Sequence, residues 1–299
     1  MLWSRDTRAI TAEEIDTFWR NGVVCLRGII PLEWVELVRE SMEEMLRSPQ
    51  RFDLTEYGAA VGKANGRTPN PPAGHGAGGS EPGHFYSSID TWLEYEGFRR
   101  YACESPLPGI VGALLKSRKI NLYEDSALVK EPGTVEKTFF HQDLPYFHVD
   151  GEQVCTSWLP VDPVTQTNGG LQFIKGSHRW KAQYRPNYFV NEIPMEGTDG
   201  EPVPDFHADR RNREIIFFDM QPGDLSVHHG RTIHGAAANS SLSMRRRALS
   251  VRYCGDDARY KIKRNMPQKP HHKTVVEGTV VDHERCPVVW RSDEADADA

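Results

Sequence analysis

The chain has 299 residues, of which 38% are hydrophobic and 26% charged, with a formal net charge of -6. That is the balance of a globular protein long enough to enclose a buried site, and a mildly acidic one argues against nucleic acid or an anionic membrane as main partner. No apolar run approaches a membrane span and the N-terminus MLWSRDTRAITAEEIDTFW has no apolar signal stretch, so a soluble, cytoplasmic protein is expected.

In chain order, TAEE at Thr11 to Glu14 fits a capping box, and the helix it opens should run to about Arg20. GVVCLRGI from Gly22 reads as a short buried strand. Pro31 sits as a first-turn residue of a second helix, with Val35, Val38, Met42 and Met45 at helical spacing. This helix, strand, helix unit is expected to pack outside the main sheet. From Gly58 to Gly83 the chain is rich in Gly, Pro and Ala and predicts a long loop, read as a flexible cover over a substrate pocket rather than an inert insertion. TWLEYEGFRRYACES and PLPGIVGALLKS then predict two short helices.

Beyond Ile120 the texture changes to short apolar runs separated by turn residues: INLYEDSALVK, VEKTFFHQD, QVCTSWLPV, GLQFIKGS, REIIFFDM, DLSVHHG and RRALSVRYCG. Strands of this number and length predict a mainly β fold with flanking helices and a double-sheet jelly-roll, cupin-like core. Residues 181 to 213 read as a long excursion between strands, and the acidic tail from 291 to 299 as disordered. The expected organisation is one domain over residues 1 to 290. It is helical to about 118, with its β core from 119 to 256 and an extension after 257. Cys25, Cys103, Cys155, Cys254 and Cys286 show no paired spacing and read as free thiols.

The stretch TFFHQDLPYFH sets His141 and Asp143 two apart in an apolar, aromatic run, where a buried charge is costly without a partner. On a strand, residues i and i+2 share a face, so both could reach one metal ion. A third ligand is available in HHGRTIHGAAAN, where His234 is expected at the end of a short strand after the turn QPGD. Two histidines and one carboxylate make the facial triad of non-haem Fe(II) oxygenases. His-x-Asp alone is a short motif with a high chance rate, and a single histidine reads equally well as core. It is the order that carries weight: His-x-Asp, a glycine-bearing turn, a later His, then a basic strand. In that strand, MRRRALSVRY, alternation sends Arg245 and Arg247 to one face and Arg246 to the other, where Ala248 and Ser250 leave room. A buried arginine there suits a bidentate pair with the distal carboxylate of a 2-oxo diacid. Arg246 is preferred and Arg245 held in reserve.

Together HQDLPYFH, NGGLQFIKGSHRW, GRTIHGAAANSS and RRALSVRY resemble the phytanoyl-CoA dioxygenase family of Fe(II) and 2-oxoglutarate dependent oxygenases, over about residues 11 to 260. The resemblance implies a double-stranded β-helix and iron ligation by His141, Asp143 and His234. 2-Oxoglutarate and dioxygen would be co-substrates, with succinate and carbon dioxide released. Its R-x-A pattern favours Arg246 as the 2-oxoglutarate anchor, whereas counting from the last histidine favours Arg245. Gln142 and Trp158 are implied as walls near 2-oxoglutarate, against plain readings as an outward polar residue and a core aromatic. Related halogenating enzymes carry a small residue where Asp143 stands, so the resemblance implies hydroxylation or another oxidation.

The aromatic residues Tyr146 and Phe147, with His148 and the stretch HFYSSIDTW, read equally well as pocket lining, core or rim; an aromatic lining would suit a small or medium, largely apolar metabolite. A CoA thioester would call for a basic groove. The clusters at Arg210, Arg211 and Arg213 and from Lys261 to Lys269 read instead as solvated surface. Two other readings stand beside this one: a metal-dependent jelly-roll enzyme that does not use 2-oxoglutarate, and a non-catalytic binding protein on the same fold.

Overall fold

The computed structural model describes residues 7–48, 52–66, 83–206 and 213–292. Thr11 caps helix α1 (Ala12–Asn21) through a reciprocal capping box with Glu14, and Gly22 ends it in the left-handed region at φ 80°. Strand β1 (Val23–Leu26) leads into α2 (Leu32–Arg47), which buries Trp34, Val35, Val38, Met42 and Met45 as the spacing predicts. Next come β2 (Phe52–Asp53), α3 (Leu54–Ala64), β3 (Phe85–Ile89), α4 (Glu96–Glu104) and α5 (Leu107–Leu115).

The remaining strands are β4 (Lys119–Lys130), β5 (Thr138–His141), β6 (Val149–Asp150), β7 (Val154–Pro160), β8 (Leu171–Ile174), β9 (Ile215–Phe217), β10 (Leu225–His229), β11 (His234–Ala236), β12 (Arg246–Cys254), β13 (Arg259–Tyr260) and β14 (Val288–Arg291). They form the expected double sheet. The larger runs β1-β10-β7-β12-β4-β3-β2 with β14 also on β4, the smaller β5-β11-β8-β9, and β13 pairs with β6.

Alternation along the large sheet separates two environments. Leu249, Val251 and Tyr253 of β12 join Val129, Leu159 and Val227 in a core with Phe18, Trp34, Val38, Phe98, Tyr101 and Leu114 of the helices. Arg246, Ser250 and Arg252 turn the opposite way, into a cavity also lined by His141, His234, Leu171 and Ala236 from the small sheet. One face of the large sheet therefore belongs to the helices, and the other to the site.

Several expectations change. The N-terminal strand does not lie outside the main sheet: β1 forms its edge, pairing Val23 with His228 and Leu26 with Leu225. A four-residue apolar strand must find partners for its amides, and the free edge of β10 supplies them. The segment from Gly58 begins as helix, because Asp53 accepts hydrogen bonds from the amides of Thr55 and Glu56 and alanines follow. Residues 67–82 of that expected loop lie outside the described residues, as do Arg210, Arg211 and residues 293–299 of the expected tail. The stretch FYSSI is strand β3, and the segment after 257 returns to the main sheet as β14. There Trp290 packs so closely on α5 that a Cβ at Gly112 would sit 2.4 Å from its ring. The basic run Lys261 to Lys269 is not simply solvated surface. Lys269 pairs with Asp90 at 2.6 Å and Glu124 at 2.8 Å, and Lys263 Nζ donates to the carbonyls of Leu144 and Phe147. All five cysteines are free, and no helix among the described residues is long and apolar enough to cross a membrane.

The segment before β14 is held on the core partly by imidazoles in contact: His148 and His272 rings lie 4.2 Å apart, and His271 and His272 rings 4.1 Å. Burial, then the neighbouring imidazoles, lower His271 to about 4 and His272 to about 3 from 6.5; burial lowers His148 as well. These groups accept protons less readily folded than unfolded. Their contribution is intact above the ordinary value of 6.5 and is lost as pH falls toward 4. Hydrogen exchange should therefore show residues 262–287 losing protection between those pH values before β7 and β12 do. Simultaneous loss in all three would refute this.

Candidate metal centre

His141 ends β5 and His234 opens β11, and the two are direct cross-strand partners. Side chains opposite one another in an antiparallel pair emerge on the same face, and here the rings lie 4.3 Å apart. His234 thus starts its own strand in the small sheet rather than ending the one after QPGD. The turn closed by Thr232 N–H to His229 O lets the chain cross from β10 of the large sheet to β11. Asp143 likewise is not a strand neighbour of His141. It stands just past β5 at φ −72°, ψ −44°, where the chain turns into a short 3-10 segment, and that turn swings its carboxylate back toward the histidines.

One ligand atom from each of His141, Asp143 and His234 lies within 4.8 Å of the others, and all three residues are buried. Nδ1 of His141 faces Phe139 O at 2.7 Å and Nδ1 of His234 faces Thr232 O at 3.0 Å. Carbonyls only accept, so the ring protons are assigned to Nδ1 and both Nε2 atoms carry lone pairs. Those lone pairs face Asp143 Oδ1 at 3.4 and 3.7 Å. Three electron-rich atoms converging without a proton between them are a poor arrangement unless a cation joins them, which is the donor set an Fe(II) ion takes.

Electrostatics keep the ligands in the state a metal needs. Burial alone would raise Asp143, but the surrounding histidines outweigh it and hold the carboxyl well below its usual range. Burial, reinforced by the neighbouring imidazoles, holds His234 well below 6.5. Around neutral pH the acid is ionised and His234 neutral, so on these two a metal displaces no proton.

Arg246, 2% exposed, reaches the same cavity. Its Nη1 donates to Leu128 O at 3.3 Å, its Nε has no partner, and it stands near the rings of Trp158 and Phe85 at 5.7 and 6.0 Å. Burial lowers it only to about 10, so it stays cationic. Its register partner Lys130 is fully buried with Nζ on Ala237 O at 2.6 Å, and burial, with the charge of Arg246, holds it well below the usual lysine range. Among the described residues no carboxylate pairs with Arg246, whereas Arg245 pairs with Glu131 and Glu43, and Arg247 with Asp162 and Glu43. Trp158 lines the cavity. Gln142 does not: its amide bridges Arg231 O and Tyr184 N–H, on a separate cleft of about 750 Å³.

The cavity is closed by Phe85, Leu128 and Phe189. Phe189 holds a φ of 63° and packs its ring 5.2 Å from His141, while Asn187 ties its loop to Tyr146 and Phe140. From residues 181–206, Phe189 is the side chain that reaches the cavity, while Lys181, Gln183 and Pro186 line a separate cleft. Tyr146 borders His141, but Phe147 packs on Tyr123 and His148 bonds to Pro267 and Lys263, so neither is a pocket residue. Sequence reasoning missed Thr156, His228 and Arg252, all of which line the cavity. The signal for His228 was the doubled histidine of VHHG, in which alternation must send one ring to each face.

A buried cation without a counterion weakens the fold, and an apolar side chain of similar length relieves it. Urea unfolding of the ligand-free protein should find Arg246→Met unchanged or stabilised by up to about 4 kcal/mol. A marked loss of stability would mean that Arg246 is compensated.

With this geometry in place, comparison with known proteins becomes informative. The chain is 28% identical to phytanoyl-CoA dioxygenase 1 of Oryza sativa subsp. japonica over 137 residues, 46% of each chain. The match therefore spans about half the length of that relative. It is 27% identical over 236 residues to the 1-deoxypentalenic acid 11-beta-hydroxylase of Streptomyces arenae, covering 77% of this chain and 76% of that one. Among solved structures, the non-heme alpha ketoglutarate dependent carbocyclase SnoK from nogalamycin biosynthesis superposes with a TM-score of 0.69 at 21% identity, covering 96% of this chain and 100% of the other; this likeness bears on fold. The phytanoyl-CoA dioxygenase (PhyH) family profile matches residues 18–248, and the chain belongs to that family.

Proposed function

We propose that this protein is an Fe(II) and 2-oxoglutarate dependent dioxygenase, with residues 1–290 acting as one oxygenase domain. The observation that carries the reading is the shared cavity: a His-Asp-His donor set and, from the facing sheet, a buried guanidinium that no carboxylate among the described residues pairs with. Iron without 2-oxoglutarate would explain the first and leave the second unexplained. A non-catalytic role would explain neither.

His141, Asp143 and His234 would hold the iron. Arg246 would pair with the distal carboxylate of 2-oxoglutarate, with Trp158 as a wall beside it and Ser250 on the same strand face. Bound there, the iron and co-substrate supply the power to activate dioxygen and attack a C–H bond, with loss of succinate and carbon dioxide. The protein fixes geometry and excludes water, and no side chain needs to act as general base. Gln142, reaching Tyr184 and Arg231, would act by bracing the ligand segment rather than by touching 2-oxoglutarate.

The reaction we favour is hydroxylation of an unactivated C–H bond of a small or medium metabolite, largely apolar where it meets the iron. Phe85, Leu128, Leu171 and Phe189 supply apolar surface there. The hydroxylase of Streptomyces arenae is a relative of that kind by name.

Anaerobic addition of Fe(II) and 2-oxoglutarate to the apoprotein tests the proposal. A weak visible charge-transfer absorption should appear in the wild type and in Arg245→Ala, fade in Arg246→Met, and be absent in His141→Ala. Bound iron without that absorption in the wild type would overturn the 2-oxoglutarate assignment. When the absorption is present, succinate release on admitting dioxygen provides the screen for substrates.

A further inference from the structure

The two oxygens of Asp143 have different neighbours. Oδ1 faces the Nε2 atoms of His141 and His234. Oδ2 accepts a hydrogen bond from Thr156 Oγ1 at 2.5 Å and meets His228 Nε2 at 3.3 Å. Thr156 on β7 and His228 on β10 are themselves direct cross-strand partners, buried to 2% and 1% exposure. A cross-strand pair from the large sheet therefore faces the pair His141 and His234 from the small sheet, with one carboxylate between them.

Building on the proposed metal centre, we infer that Thr156 and His228 are positioning residues that occupy Oδ2 and present Asp143 to the metal through Oδ1 alone. A carboxylate with both oxygens free can chelate an ion and take two coordination positions. Held by one oxygen it takes one, which leaves room for a two-atom chelate from 2-oxoglutarate and for dioxygen. His228 serves as a donor here and not as a fourth ligand. Its Nδ1 has no hydrogen-bond partner, so the ring proton belongs on Nε2, aimed at the carboxylate. Its orientation is fixed by the rings of His234 at 4.2 Å and Phe173 at 5.3 Å. Outer partners of this kind set ligand orientation and metal affinity.

The test is titration of the apoprotein with Co(II), whose ligand-field absorption reports coordination geometry, using near-ultraviolet circular dichroism to confirm folding. His228→Phe and Thr156→Val should each weaken Co(II) binding by about tenfold and change the absorption, while His228→Gln and Thr156→Ser, which keep a donor, should stay within about threefold of wild type. Unchanged affinity and absorption in both apolar variants would overturn the clamp while leaving the triad intact. If His228→Phe abolished binding as completely as His234→Ala and Gln failed to rescue, His228 would be a ligand and the inference would fall. If Asp143→Ala bound Co(II) as well as wild type, the metal centre itself would be wrong, an outcome these variants distinguish from loss of the clamp.

Discussion

The structure depends on one buried carboxylate. Asp143 lies between two β-sheets, 5% exposed, with no lysine or arginine paired to it among the described residues. An ionised acid in such a place is strongly unfavourable unless polar groups surround it. Here each sheet supplies a pair of opposed side chains, His141 with His234 and Thr156 with His228. The register of β5 on β11 and of β7 on β10 is thereby tied to the chemistry, because a slip of one residue would turn either pair to the other face.

Charge is distributed around that acid so that two anions, and not one, are at home in the cavity. The carboxylate is provided by the chain. The second is invited by Arg246, whose guanidinium is desolvated, flanked by Trp158 and Phe85, and unpaired, while its neighbours Arg245 and Arg247 are satisfied by acids on the outer side of the same strand. Strand alternation separates the one arginine that reaches the cavity from two that are held by acids, within three consecutive residues. Above the cavity, Phe189 in the left-handed region is an unusual conformation for an aromatic residue, held by Asn187 and by the amide of Phe139. Local strain of this kind persists only where the surroundings over-determine it, and here they do so beside His141.

Much of this was legible in one dimension. Short apolar runs bounded by turn residues, such as INLYEDSALVK, QVCTSWLPV and RRALSVRYCG, marked the strands, and alternation along RRALSVRY put Arg246 on the inner face. Capping at Thr11 marked α1, because a cap is made between residues three apart. What failed were inferences about partners. β1 and β14 were not expected in the main sheet, since a short strand contains no information on which edge it will join. Glycine and proline content hid α3, whose start depends on Asp53 and whose packing depends on Val190 against Gly58. The strand-mate argument for His141 and Asp143 named two side chains that do converge, but through the wrong geometry, for the carboxylate arrives by a turn.

The sequence by itself determined the inventory: which residue types were available to bind a cation and an anion, in what order, and on which face of each strand. Those properties follow from the backbone periods and are local. Only the tertiary structure decided that His234 faces His141, that Thr156 and His228 close on the far oxygen of Asp143, and that no carboxylate among the described residues pairs with Arg246. Each of those depends on the register between strands far apart in the chain, and register is settled by which faces can be buried together, a property of the assembled sheets and not of any segment.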